Sequence, residues 1–339
     1  MAKWMTVTAG ARYFDFSEKR IFKSGGIFSN DDNNFDKTSS SGLTERFIAS
    51  FDLRDDLKMN LQASRGFRLG GVNDPLNILL CTGGAGGPDA LTYGGHPRFN
   101  DESSWDYEAG LKYASGDVTF SAAAFYNDLK NLQVSADAGT CSSRIVFNVP
   151  KAHASGIEGE INAPFLFKGF EVSLAGSIVQ AEFDSTVKSS LGAVIAGIQK
   201  GNRLPSAPNF QYAATGTYTW QLRAPSWEGF IGASVSSVGS RYTQPGDQMP
   251  GAGHFVSHLA FGGATGLGAT DLNLKLKPYA LLNINAGFES KTWHFIAFVD
   301  NVTNEDARLA FDRERGGRAR LGFHVSEPRM FGITVRKDW

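Results

Sequence analysis

The chain has 339 residues, of which 42% are hydrophobic and 20% charged, so it is too apolar for disorder and long enough for one large domain or two ordinary ones. A formal charge of −1 and a pI near 6.6 supply no field that would gather nucleic acid, which sets nucleic-acid binding aside. No run approaches the roughly 18 apolar residues of a membrane helix, whereas 39 glycines and 26 phenylalanines favour β structure rich in turns.

The opening segment, MAKWMTVTAGARYF, has no apolar stretch behind a basic one; it does not read as a signal peptide and begins like the middle of a protein. A strand is predicted over 5–16, then a long polar loop at 17–40, a strand over 43–54, a tight turn at 54–56 and a strand over 57–70. A second long loop at 71–102 leads to strands over 105–113 and 118–126, joined by the tight turn at 114–117. After a loop at 135–151 come strands over 155–163 and 169–183 around a short turn at 164–168, and then a loop at 184–207. The clearest alternation follows, with Phe210, Tyr212, Ala214, Gly216, Tyr218 and Trp220 against Gln211, Ala213, Thr215, Thr217 and Thr219. Turns at 223–226 and 289–291 and loops at 241–277 and 303–327 then separate strands over 227–240, 279–288, 293–302 and 328–339.

These are about twelve strands, each near the roughly 9 to 11 residues that a tilted strand needs to cross a bilayer. Tight turns alternate with long loops, which is the layout of an outer-membrane barrel with short periplasmic turns and long extracellular loops. Aromatic residues cluster toward strand ends, for example Trp105, Tyr107, Tyr218, Trp220 and Trp293, where an amphipathic ring suits the headgroup zone. The opposite faces carry Glu108, Lys112, Glu158, Glu160, Glu171, Arg336 and Asp338, charges that require water or a polar filling inside. The expected fold class is therefore all-β: a transmembrane antiparallel β-barrel spanning 1–339 as one domain. A soluble sandwich or propeller is the competing reading, but soluble strands average roughly 5 to 6 residues and no blade-length repeat is visible.

Cys81 and Cys141 both fall in predicted long loops on the extracellular side, where a disulfide between them would staple two loops; two unrelated thiols are the other reading. The run NDDNNFD at 30–36 offers oxygen ligands but lacks the glycine and terminal glutamate of an EF-hand loop, so a solvated loop is expected. The segment DRERGGRAR at 312–320 presents Arg313, Arg315, Arg318 and Arg320, suited to lipopolysaccharide phosphates or an anionic ligand, or else to a salt-bridged surface. His254 and His258 alone approach metal-ligand spacing and have no third ligand nearby, so no metal site is expected. GGAGG at 83–87 lacks the Lys and Ser/Thr of a phosphate loop. With no nucleophile elbow or paired carboxylates, the chain reads as a transport or binding protein rather than an enzyme, with no cofactor.

The strand LKMNLQASRGFRLGG at 57–71 resembles a signature of TonB-dependent outer-membrane receptors. The likeness continues through WDYEAGLKY at 105–113, FSAAAFYNDLKNLQV at 120–134, SGIEGE at 155–160, LPSAPNF at 204–210, FVDNVTN at 298–304 and PRMFGITVRKDW at 328–339, in the family's order across nearly the whole chain. The resemblance implies an uptake receptor at the outer membrane of a Gram-negative bacterium, taking a scarce small-molecule nutrient such as an iron-siderophore at an extracellular vestibule. Energy would come from an inner-membrane TonB complex acting through a plug. The family has about twenty-two strands, a plug and a TonB box, so the chain resembles the C-terminal portion of the barrel without a plug domain, as a fragment or split product would.

Loop position and charge nominate Arg68, Asp74, Arg98, Arg313, Arg315, Arg318 and Arg320 for the ligand. In the family the last strand is read by the barrel-assembly machinery, and Phe331, Ile333, Val335 and Trp339 form the matching apolar face here, with Trp where Phe is usual. Outer-membrane lipid and lipopolysaccharide are further expected partners. Two functional readings follow, a TonB-dependent uptake receptor or a passive porin-like pore or structural remnant. Twelve strands would close by themselves if the strand at Met5 paired with the strand at Phe331.

Overall fold

Strict alternation of apolar and polar residues makes strands, and a lipid environment demands that every backbone group in them be paired. The computed structural model describes residues 4–23, 25, 33–81, 83–141, 143–164, 168–189, 191–224, 226–256, 268–314 and 320–339, with 33, 34, 314 and 320 described for their backbone alone. Its strands are β1 (Met5–Lys23), β2 (Asn33–Arg54), β3 (Leu57–Arg68), β4 (Gly71–Val72), β5 (Arg98–Phe99), β6 (Glu102–Ser115), β7 (Val118–Asp137), β8 (Arg144–Pro164) and β9 (Phe170–Phe183). They continue with β10 (Phe210–Gln221), β11 (Glu228–Val238), β12 (His254–Val256), β13 (Ala269–Asp271), β14 (Tyr279–Glu289), β15 (Trp293–Asp300), β16 (Arg308–Glu314), β17 (Arg320–Val325) and β18 (Met330–Lys337). One short helix, α1 (Pro88–Tyr93), lies between β4 and β5.

Twelve strands form one antiparallel sheet in the order β1-β2-β3-β6-β7-β8-β9-β10-β11-β14-β15-β18, so each long strand pairs with its sequence neighbours. This meander excludes the sandwich and propeller readings. Self-closure is corrected: among the described residues β1 pairs only with β2 and β18 only with β15, and the sheet stays open. Its two free edges present unpaired backbone groups, which lipid does not tolerate.

Two predicted loops are largely strand. Within 17–40, β1 runs on to Lys23 and β2 starts at Asn33, held by an unbroken register that includes Ser17↔Ser39 and Arg20↔Asp36. Within 135–151, β7 reaches Asp137 and β8 begins at Arg144. The extensions of β1 and β2 are rich in Ser, Thr, Asn and charge and carry no regular alternation, so pairing makes them strands, whereas the β8 extension alternates the buried Ile145, Phe147 and Val149 with Arg144, Val146 and Asn148.

The wall has two faces. Ala49, Leu61, Ala109, Ala124, Ile157, Ile178 and Phe210 are successive cross-strand partners and form one outward apolar row. At the turn side Trp227, Phe288, Trp293 and Phe295 stack at 5.4–6.0 Å between ring centroids, and Lys337 Nζ lies 5.3 Å from the Trp293 ring centre. Trp105 and Tyr107 stack at 6.1 Å nearer the loop side. The tight turn between β6 and β7 places Gly116 at φ +57°, a left-handed conformation that glycine reaches without a Cβ clash.

Candidate functional site

The polar residues of the alternation gather on the inner face. Arg46, Asn60, Gln62, Glu108, Lys112, Glu158, Glu160 and Gln211 line a concavity of about 1030 Å3. Arg46 donates to Gln62 Oε1 at 2.8 Å, and Ser50 donates to Asn60 at 2.7 Å. Glu108, Lys112, Glu158 and Glu160 were marked by charge in the sequence. Arg46, Asn60, Gln62 and Gln211 were not singled out there, although the same period of two assigns them to this face.

Above the wall, loop residues pack with the extended ends of β7, β8 and β9 into a water-excluding core. Tyr93 and His96 pack on Phe147 at ring distances of 6.0 and 4.7 Å, and Ile145, Val149, Phe183, Ile195 and Ile198 are buried beside them. Asn73 docks the segment on β8: its amide donates to the carbonyls of His96 and Val146 at 2.9 Å, and its Oδ1 accepts from the Val146 N–H at 2.8 Å. Asp89 accepts from the Thr140 N–H and hydroxyl at 2.7 Å. A disulfide joins Cys81 to Cys141, with Sγ atoms 2.09 Å apart. Burial pushes the Tyr93 hydroxyl pKa up to about 12, and burial lowers the His96 imidazole pKa from its ordinary value.

A second loop core contains Phe255, Leu274 and Phe311. Arg313 lies over Phe255 and Phe311, pairs with Asp247 and approaches Asp137 Oδ2 at 3.7 Å. Burial lowers the Arg313 pKa and Asp137 opposes that shift. Gln244 donates to Asp137 at 2.7 Å, tying this core to the end of β7.

Of the nominated ligand residues, Arg68, Asp74, Arg98 and Arg313 are each engaged. Arg68 meets Glu102 at 2.5 Å and donates to the Gln133 carbonyl at 2.6 Å. Asp74 pairs with Arg20 at 3.3 Å. Arg98 Nε donates to Asp36 Oδ2 at 2.8 Å, and this hydrogen bond holds the Asp36 carboxyl below its usual range. Val72 and Arg98 are partners in the small β4–β5 pair, so Asp74 and Arg98 share one unit, while Arg313 belongs to the second core. Arg315 and Arg318 lie outside the described residues, as does the side chain of Arg320, whose backbone opens β17. Of the 30–36 run, Phe35 and Asp36 have described side chains; His258 lies outside the described residues, and His254 Nδ1 faces Asp271 at 2.7 Å. The 83–87 segment holds a single 3-10 turn, Gly84–Gly86. On β18, Phe331, Ile333 and Val335 face outward at 74%, 79% and 55% exposure, a face for lipid or a neighbouring strand, and Trp339 is fully exposed.

A concave polar wall under a rigid, cross-braced loop layer suits binding by hydrogen bonds, and among the described residues no cluster of metal ligands is present. The family model described as "TonB dependent receptor-like, beta-barrel" matches residues 2–304. The chain is 25% identical over 305 residues to the pesticin receptor of Yersinia pestis, covering 89% of this chain and 37% of that protein. Among solved structures, the ferric yersiniabactin uptake receptor FyuA from Yersinia pestis superposes with a TM-score of 0.72 at 20% identity, covering 100% of this chain and 44% of that one. The ferric-catecholate import receptor Fiu from E. coli K12 gives 0.64 at 14%, covering 99% and 42%. The chain thus spans well under half the length of these proteins.

Proposed function

The chain belongs to the TonB-dependent receptor β-barrel family, and we propose that it forms the C-terminal portion of the wall of an outer-membrane uptake receptor in a Gram-negative bacterium. The observation that carries this reading is the open sheet: a wall with two free edges is stable in lipid only when further strands complete it. The nutrient we propose is a ferric siderophore, a reading supported by the ferric yersiniabactin named for FyuA and the ferric catecholate named for Fiu. It would sit between the loop layer and the polar concavity, where neutral amides and hydroxyls outnumber cations among the described lining residues, with Arg68, Arg98 and Arg313 above engaged in ion pairs. Transport would draw on a TonB complex through a plug contributed outside these strands.

Deletion of the gene in its own host, followed by growth on a panel of ferric siderophores as the iron source, tests the reading. Loss of growth on one siderophore, matched by loss when the energising complex is inactivated, supports an uptake receptor. Unchanged uptake, together with conductance of small solutes by the reconstituted chain, favours the passive-pore reading instead. A heat-modifiability gel on the chain refolded in detergent shows separately whether these strands close without added ones.

A further inference from the structure

We propose that Arg241, with Arg203 beside it, receives a free carboxylate of the cargo where the loop layer meets the polar concavity, so that the ferric chelate taken up is an anionic one. The proposal rests on the reading of the chain as part of a ferric-siderophore receptor and narrows the substrate class of that same site. Its first support is a charge without a counter-charge. Arg241 is only 8% exposed. Its Nη2 donates to the carbonyls of Leu309 at 2.7 Å and Arg308 at 3.4 Å, and its guanidinium carbon stands 5.5 Å from the centre of the Tyr279 ring. Nη1 is buried and makes no hydrogen bond, and among the described residues no carboxylate pairs with this side chain. A guanidinium cannot shed its proton to ease burial, and a buried charge is tolerated only when it is paired. Arg313 shows the ordinary solution, with Asp247 and Asp137 beside it.

The second support is a neighbouring arginine in the same condition. Arg203 Nη2 donates to the carbonyls of Ala207 at 2.7 Å and Ser240 at 2.9 Å, and its Nη1 donates to Ser240 Oγ at 3.4 Å. A second guanidinium is thus fixed against the residue that precedes Arg241. Gln248 holds the Arg203 backbone from both sides, accepting from its N–H at 2.9 Å and donating to its carbonyl at 2.8 Å. Among the described residues Arg203 has no ion-pair partner either: Glu182, bridged to it through the backbone, accepts from Gln180 at 3.1 Å. Carbonyls orient a guanidinium without neutralising it. Two arginines held in this way are placed in advance for an oxyanion, whose paired oxygens match the guanidinium fork.

The register places this charge beside the concavity. Gln211, Val238 and Tyr279 are successive cross-strand partners, and Gln211 and Val238 line the space of about 1030 Å3. Tyr279 continues their row, so the guanidinium over its ring stands at the rim of that space. Because Nη1 makes no hydrogen bond, a carboxylate that reaches it displaces packing and breaks no polar contact. A free inorganic anion would meet the arginines and leave the concavity unused. A chelate that carries a carboxylate engages both, which is why the anion is assigned to the cargo.

The test uses the receptor purified whole from the outer membrane of its host, with binding read by quenching of tryptophan fluorescence. The probes are ferric citrate, which carries free carboxylates, and a neutral ferric trihydroxamate. Wild type binds ferric citrate at least tenfold more tightly than the neutral chelate, and millimolar inorganic phosphate does not displace it. Arg241→Gln loses at least tenfold for ferric citrate and leaves the trihydroxamate unchanged, Arg241→Lys recovers part of that loss, and Arg203→Gln loses less than Arg241→Gln. Equal or tighter binding of the neutral chelate by wild type, or displacement by phosphate, overturns the proposal without any variant having to fold. Equal weakening of both probes by Arg241→Gln marks a purely structural arginine and overturns it as well. The growth panel described above separates the two readings: a host that needs the gene for a siderophore without a free carboxylate sinks the anion site alone, whereas a host that needs it for no siderophore sinks the uptake reading first.

Discussion

Isoleucine behaves in opposite ways in the two parts of this molecule. On the wall, Ile157 and Ile178 are 57% and 61% exposed; in the loop layer, Ile195 and Ile198 are 1% and 0% exposed. The wall turns its apolar residues out because lipid is its solvent, and the loop layer turns them in because water is. The same residue type therefore reports which medium surrounds it, and substitutions in the two regions should have opposite logic.

The largest expected effect is in the loop core. Phe183→Ala removes a fully buried ring where the end of β9 enters the loop core and should cost roughly 3–5 kcal/mol of loop-layer stability, read as faster hydrogen exchange across 73–97 and 184–207 with the lipid-facing part of the wall unaffected. If the wall melts with the loops, the two regions are one cooperative unit and the contrast drawn above is too sharp. Removing the Cys81–Cys141 bridge by Ser substitution frees a 60-residue closure, worth roughly 2–4 kcal/mol. Protease nicking near α1 should appear in the variant and be absent in the oxidised parent.

In the wall, Ile157→Arg should destabilise the inserted sheet by roughly 2–4 kcal/mol, since a charge at mid-bilayer has no water, whereas Ile157→Ala should be nearly silent because lipid refills the space. Equal effects of the two, measured by urea unfolding of the wall from vesicles together with the strands that complete it, would place this face in water.

The smallest effect is a pH profile confined to the loop layer. Burial lowers the His96 pKa, so the unfolded chain binds the proton more readily; stability is full above about 6.5 and declines as pH falls below it. The Tyr93 pKa is raised from 10.0 to about 12, so the unfolded chain loses its proton first and stability declines as pH rises through that interval. Near-UV circular dichroism melts should show a plateau between these limits, and His96→Asn should flatten the acid limb only.

The wall was legible in the sequence to a large degree. Phe210 to Trp220 announces β10 within a residue, and WDYEAGLKY announces β6, because a sheet between lipid and a polar interior must alternate. The polar extensions of β1 and β2 were illegible for the converse reason: Ser39, Ser40 and Thr38 pair across to β1 without any apolar face to mark them. The site was legible in part. Charge and loop position pointed to Arg68, Arg98 and Arg313, but the carboxylates that occupy them stand 34, 62 and 66 residues away in the chain.

The sequence by itself determined the strand number, the neighbour order and which side carries the loops, since period-two patterning and turn length are local properties written along the chain. Only the tertiary structure decided that the loops condense into buried cores, that Arg68, Arg98 and Arg313 are bound to carboxylates, and that β1 and β18 remain apart. Those outcomes depend on contacts between distant segments, for which neither spacing nor periodicity leaves a local trace.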